Sequence, residues 1–269
     1  HAGDGRDYIE QAIENGAAAI VREAGDGASL TSLHIPVIQI ENLDKICGKI
    51  AASWYEMPAA ELAVVAVTGT NGKTSTTQWI AKAMSLLKTE CAVIGTLGNG
   101  IWSQGHLSEM RETGFTTPDA IQLQRSLNSL KQAGAKALAI EASSIGIHQG
   151  RLTGLDIQTA VFTNLTRDHL DYHGTMESYF QAKQQLFKNL GAGGKRGAAV
   201  INIDDEKGEL LHKQLAHAPI DLWTISMTSS QARLHARDIR TTPQGLSFEV
   251  VCGDQRQTLS TRCLGDFNV

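Results

Sequence analysis

Residues 62–67, Leu-Ala-Val-Val-Ala-Val, form an apolar run that ends at a glycine turn, and a helical pattern starts with no spacer. The run has the length of one fully buried strand. Gly69, Thr70, Asn71, Gly72, Lys73, Thr74 and Ser75 follow it, and Ile80, Ala83, Met84 and Leu87 then recur at helical spacing. A buried strand feeding a helix through such a turn points backbone N–H groups at one spot, where the helix dipole also favours anions. Lys73 adds a mobile positive charge, and Thr74 offers a hydroxyl suited to magnesium. These parts predict a nucleoside triphosphate site, with ATP or GTP as the ligand. The spacing is tighter than usual: the common phosphate loop places a further glycine where this chain has Val67. The plainer reading is an ordinary strand-to-helix turn with a chance lysine. The strand, glycines, Lys-Thr pair and helix in the required order weigh against it.

From there on, apolar runs and helical patterns alternate. Strands are expected at residues 92–94, 137–140, 159–164 and 198–203, and helices at 118–133 and 176–190. That rhythm predicts an α/β fold with a mostly parallel sheet flanked by helices. Beyond Leu222 the pattern shortens to alternating runs at 235–240, 246–251 and 257–263, split by Gly- and Pro-bearing turns. They read as a small antiparallel meander at the edge or end of the same domain. Upstream, residues 8–14 and 43–55 read as helices, and 17–22 and 35–40 as strands. Pro58 marks a boundary because it pushes Met57 out of helical geometry. The expected organisation is a partial small α/β domain over residues 1–60 and a central domain over 61–269.

In open parallel sheets, ligands bind beyond the carboxyl ends of the strands, so the residues at those ends are the candidates. Glu141 closes the 137–140 run and could hold magnesium against nucleotide phosphates. Asn164 closes the next strand and leads into Arg167, Asp168, His169, Asp171, Tyr172 and His173. No Cys-x-x-Cys accompanies these histidines, and His169 and His173, though four residues apart, fall in a segment read as loop rather than helix, so zinc is disfavoured. A solvated charged loop is the plain alternative, and His169, nearest the strand end, is the histidine expected to serve magnesium. Lys183 falls three residues after Phe180 and four before Phe187, on an apolar helix stripe. It either snorkels to solvent or points its amine into a site, where burial would favour the neutral form and covalent chemistry. Thr116 and Thr117 precede Pro118 and either cap the following helix or hold an anionic substrate. Ser143, Gln149 and Arg151 share one polar segment, and the Arg151 fork could clamp a carboxylate or phosphate.

Composition bounds the rest. There are 28 acidic and 24 basic residues, so no global basic field favours nucleic acid. Cys47, Cys91, Cys252 and Cys263 are scattered without paired spacing, which suits free thiols in a reducing compartment. No apolar run approaches the roughly 20 residues that cross a bilayer, and no basic-then-apolar leader is seen. The chain is expected to be cytoplasmic, without a membrane span, and monomeric.

The segments from Thr68 to Ser75, from Glu141 to Ser144 and from Thr163 to Gly174, followed by Lys183, together resemble the Mur ligases of bacterial cell-wall synthesis. The Asp-His-Leu-Asp-Tyr-His-Gly run at 168–174 makes the resemblance specific, and it covers essentially the whole chain. It is strongest to the branch that adds the third residue of the peptide stem. The resemblance implies an ATP-dependent amide ligase acting on UDP-MurNAc-L-Ala-D-Glu. ATP would phosphorylate the free carboxylate, and the amine of a diamino acid, meso-diaminopimelate or L-lysine, would displace phosphate. It further implies that Gly69 to Ser75 cradle ATP and that Lys73 and Thr74 meet the phosphates and magnesium. Glu141 and His169 would bind magnesium, and Lys183 as a carbamate would help hold a second ion. Thr116, Thr117, Ser143, Gln149 and Arg151 match positions that grip the nucleotide-sugar peptide. His1, Ala2 and Gly3 lie in a segment like the family's uridine-binding entry.

Both ends read as cut, with the family's third domain and part of its first missing. The expectation is a fragment that binds nucleotide weakly and is inactive or nearly so alone. A ligase of the folylpolyglutamate synthetase kind is the nearest rival, and the loop at 168–174 argues against it. A non-catalytic nucleotide-binding module is the rival from another class, and the intact Lys73, Thr74, Glu141, His169 and Lys183 weigh against that.

Overall fold

The computed structural model describes residues 5–25, 34–188, 190 and 196–269. In chain order the strands are β1 (Ile20–Glu23), β2 (Val37–Ile40), β3 (Ala63–Thr68), β4 (Cys91–Gly95), β5 (Gly98–Ser103), β6 (His106–Leu107), β7 (Ala137–Glu141), β8 (Thr159–Phe162), β9 (Ala198–Asn202), β10 (Asp221–Ser226), β11 (Leu234–Thr242), β12 (Gly245–Cys252) and β13 (Gln255–Thr261). The α-helices are α1 (Ile9–Glu14), α2 (Leu43–Trp54), α3 (Lys73–Leu86), α4 (Ala120–Gln132), α5 (Ser144–His148), α6 (Leu170–His173), α7 (Met176–Lys188) and α8 (Glu206–Leu215).

β1 and β2 pair with each other in parallel, apart from the main sheet. The main sheet has 11 strands in the order β13-β12-β11-β10-β9-β8-β3-β7-β4-β5-β6. Its centre, from β11 to β4, is parallel, and antiparallel pairs close both flanks. β3 is central, with Val64, Ala66, Val67 and Thr68 buried on both of its faces, as a strand covered on both sides requires. After β3 the chain builds outward through β4 on one side, and from β8 onward it builds on the other. The strand order therefore reverses at β3, so the loops after β3, β7 and β8 meet at one crevice.

Two apolar layers hold the sheet. On one face, Ala81 of α3 packs with Cys91, Val93, Ala137 and Ala139. On the other, Leu123 and Leu127 of α4 and Phe180, Leu186 and Phe187 of α7 pack on Val64, Ala66, Ile140 and Phe162. The four cysteines are free thiols. Among the described residues, no helix is long and apolar enough to cross a membrane.

Several expectations need correction. The first strand begins at Ile20, three residues late, because the ladder starts only where Ile20 meets Val37. The 118–133 helix begins at Ala120, and its cap is neither threonine: Asp119 accepts from the N–H groups of Ile121 and Gln122, each at 3.0 Å. The 159–164 strand stops at Phe162, since Thr163 and Asn164 turn their polar groups toward the loop after β3. The β5–β6 hairpin was not anticipated, because Gly98, Gly100 and Gly105 make its sequence read as loop. Nor were α8 and β10, and β10 continues the parallel sheet before the meander begins. The meander itself, β11 to β13, stands where the alternation placed it.

Candidate functional site

The loop joining β3 to α3 is shaped from below by the exit of β8. The Thr70 N–H donates to the Asn164 carbonyl at 3.0 Å, and the Asn71 N–H donates to Asn164 Oδ1 at 2.9 Å. Thr163 Oγ1 donates to the Asn71 carbonyl at 2.7 Å. Thr70 Oγ1 accepts from the Thr166 N–H at 3.0 Å and lies 3.1 Å from the Tyr179 hydroxyl. Gly69 permits this closeness: a Cβ there would stand 1.8 Å from Thr163 Oγ1. Gly72 heads α3 with φ of 82°, and no side chain caps the helix. The first-turn N–H groups thus face the crevice without a side-chain partner, the arrangement that receives anions.

Glu141 ends β7 opposite that helix start and is 1% exposed. Its Oε1 accepts from Thr74 Oγ1 and from the Thr96 N–H, both at 2.9 Å, and its Oε2 accepts from Thr96 Oγ1 at 3.2 Å. Gly95 makes room for it, since a Cβ there would lie 2.1 Å from Oε1. Lys73 Nζ folds back onto the carbonyls of Gly69, at 2.9 Å, and Thr70, at 2.8 Å. Burial lowers the Lys73 pKa, while the charges of Glu141 and Asp168 oppose that shift. The crevice is a cavity of about 250 Å³. It brings together the predicted loop from Thr70 to Ser75 with Thr116, Glu141, Ser143 and His169. Among the described residues no three His, Cys, Asp or Glu side chains converge on a metal-sized point.

Lys183 does not snorkel. It is 1% exposed, and its Nζ donates to the Gly69 carbonyl at 2.8 Å and lies 4.4 Å from the Tyr179 ring centroid. Burial pulls its pKa down to about 7, repulsion from Lys73 adds to this, and Asp168 opposes it. One peptide carbonyl thus accepts from two lysines. His169 heads α6 at φ 51° and stays exposed, with Nε2 3.6 Å from Asp168 Oδ2. His173 stacks on Tyr179 at 5.3 Å, and its Nε2 lies 3.0 Å from Ser144 Oγ. Burial first, then His148, His169 and Lys183, lower the His173 pKa.

The remaining predicted residues form a rim. Thr117 is 1% exposed and braces the strand end: its hydroxyl donates to the Glu141 carbonyl at 2.8 Å and accepts from the Ser143 N–H at 3.0 Å. Ser143 caps α5. Arg151 Nη1 donates to the Thr117 carbonyl at 2.7 Å, and its Nε and Nη2 both meet Gln149 Oε1. Gln149, Arg151, Thr117 and Lys183 lie outside the cavity lining. His1, Ala2 and Gly3 lie outside the described residues. Sequence reasoning missed Thr96, which Glu141 needs, although it stands just beyond the end of β4, where the strand-end rule would have found it.

The chain matches the family described as Mur ligase middle domain over residues 67–269. It is 44% identical over 272 residues to a UDP-N-acetylmuramoyl-L-alanyl-D-glutamate–2,6-diaminopimelate ligase of Janthinobacterium sp. (strain Marseille), covering 99% of this chain and 53% of the relative. A solved structure of a ligase with the same name superposes with a TM-score of 0.83 at 35% identity, covering 98% of this chain and 51% of that one. The chain therefore spans about half the length of the curated relatives it matches. Folylpolyglutamate synthase of Mycobacterium tuberculosis, complexed with ADP and AMPPCP, shares the fold alone, with a TM-score of 0.59 at 14% identity over 76% of this chain and 50% of that one.

Proposed function

This chain belongs to the Mur ligase family, and from that premise we propose that it carries the ATP-binding core of an amide ligase joining 2,6-diaminopimelate to UDP-MurNAc-L-Ala-D-Glu. The relatives' names support that choice of diamino acid over L-lysine. In the proposed reaction the free carboxylate takes the γ-phosphoryl group of ATP, releasing ADP. The amine then attacks the acyl phosphate, loses a proton and expels phosphate as the amide bond forms. Such chemistry asks chiefly for alignment and charge neutralisation.

The observation that carries the reading is Glu141. It is a buried carboxylate whose direct partners, Thr74 and Thr96, are neutral donors, and it faces an uncapped helix N-terminus. A fixed negative charge so placed suits a cation that also meets phosphate. Thr74 and Glu141 would hold magnesium, with His169 at the open side, and the remaining ligands would come from phosphate oxygens and water. Bound there, magnesium would neutralise phosphate charge. The N–H groups from Gly69 to Ser75 would receive the phosphates, and Lys73 would leave its two carbonyls for them. Lys183, neutral in part near pH 7, would become a carbamate and serve a second ion. Thr116, Ser143, Gln149 and Arg151 would grip the nucleotide-sugar peptide, with Thr117 fixing the rim behind them. His1, Ala2 and Gly3 would meet the uridine. The proposed compartment is the cytoplasm, and the proposed state is a monomer.

The test is a calorimetric titration of UDP-MurNAc-L-Ala-D-Glu in the presence of Mg-AMPPCP. Saturable binding that weakens in Arg151→Ala supports the reading. Saturation by a folate with no heat from the UDP-sugar peptide contradicts it.

A further inference from the structure

Thr68 is the last residue of β3, and its hydroxyl has no use in the structure as it stands. The residue is 0% exposed, and Oγ1 has no hydrogen-bond partner among the described residues. Its backbone is accounted for: the carbonyl accepts from the Thr163 N–H at 3.0 Å. An unpaired buried hydroxyl is costly, and a partner that arrives later would explain it.

The sheet register shows where that partner would come from. Thr68 pairs with Phe162, so both side chains stand on one face of the sheet. The Phe162 ring meets Phe180 of α7 edge-on, with centroids 6.4 Å apart. Phe180 lies three residues before Lys183 on the same buried stripe of α7. Lys183 reaches the very next residue, just past the end of β3, donating to the Gly69 carbonyl at 2.8 Å. The idle hydroxyl therefore sits on the residue next to the carbonyl that the buried amine holds, and both groups lie on the α7 side.

We propose that Thr68 is a positioning residue whose hydroxyl donates a hydrogen bond to a carbamate formed on Lys183. The inference rests on the carbamate reading given above. In that step the neutral amine bonds the carbon of carbon dioxide, an electron pair moves onto oxygen, and a proton leaves to water. One N–H remains on the nitrogen and keeps the bond to the Gly69 carbonyl. The two new oxygens enter a buried place and need donors there. Thr68 supplies an uncharged one. The ammonium of Lys73, already on the same carbonyl, supplies an opposite charge. The modification thus turns a repulsive lysine pair into an attractive one, and the idle hydroxyl gains its partner.

The experiment is carbon-13 NMR of the protein in labelled bicarbonate with magnesium, comparing wild type with Thr68→Val, Thr68→Ser and Lys183→Arg. Thr68→Val is nearly isosteric and removes only an unsatisfied group, so the fold should persist. A carbamate resonance present in wild type and Thr68→Ser, absent in Lys183→Arg, and about tenfold lower in formation constant in Thr68→Val supports the role. Equal occupancy in Thr68→Val and wild type overturns it while leaving the carbamate intact. No resonance in wild type overturns the carbamate and the Thr68 role together.

Discussion

Replacing Lys183 with methionine isolates the energetics of the buried amine. The substitution keeps an unbranched apolar stem and removes the charge. In the fold the Lys183 pKa is lowered from 10.5 to about 7. Below about pH 7 both folded and unfolded chains hold the proton, and the fold bears the full cost of a buried ammonium. Between about pH 7 and the unfolded value the unfolded chain binds more protons, so wild-type stability rises with pH. At 1.36 kcal/mol per unit, a shift of that size sets a ceiling on the order of 5 kcal/mol. Loss of the 2.8 Å bond to the Gly69 carbonyl in the variant works against this by about 1 kcal/mol. The assay is urea unfolding of both proteins across the range in buffers free of carbon dioxide, so that the amine stays unmodified. Lys183→Met should be the more stable protein at the acid end, by several kcal/mol, and its advantage should shrink as pH rises. The two stability curves running parallel would refute the reasoning, because the other titrating groups are common to both chains.

Two further outcomes follow from the local geometry. Gly69→Ala places a Cβ 1.8 Å from Thr163 Oγ1, so nucleotide affinity measured by calorimetry should fall about tenfold; Thr163→Ala in the same chain should restore part of it, and no restoration would mean the contact is not the cause. Asp119→Ala removes the cap of α4 and should cost about 1 kcal/mol in urea unfolding, whereas unchanged stability would return the cap to Thr116 or Thr117.

Where burial covers both faces of an element, the sequence reads it plainly. β3, β7 and the apolar stripe of α7 are continuous or evenly spaced apolar patterns, and the strand-end rule led from them directly to Glu141. What escaped was decided by tertiary contacts. Lys183 could point either way by periodicity, and only the Gly69 carbonyl resolves its direction. Thr116 and Thr117 ahead of Pro118 read as cap candidates, but Thr117 goes to the Glu141 carbonyl and Asp119, beyond the proline, takes the cap instead. The β5–β6 hairpin is glycine-rich, and its glycines serve close approach: a Cβ on Gly98 would lie 2.4 Å from the Arg111 carbonyl. Thr96 stands at a strand end, but its role as a partner of Glu141 exists only once β4 and β7 are neighbours.

In the proposed function the β3–α3 loop receives a magnesium-bound triphosphate. Titrating Mg-ATP into wild type and Lys73→Ala by calorimetry tests it most directly. Lys73 now holds the carbonyls of Gly69 and Thr70 at 2.9 and 2.8 Å, and a charge-assisted bond to phosphate is worth about 1.5–3 kcal/mol. Wild type should bind saturably, and the substitution should weaken binding roughly 10- to 100-fold. Equal affinity in the two proteins would contradict this reading.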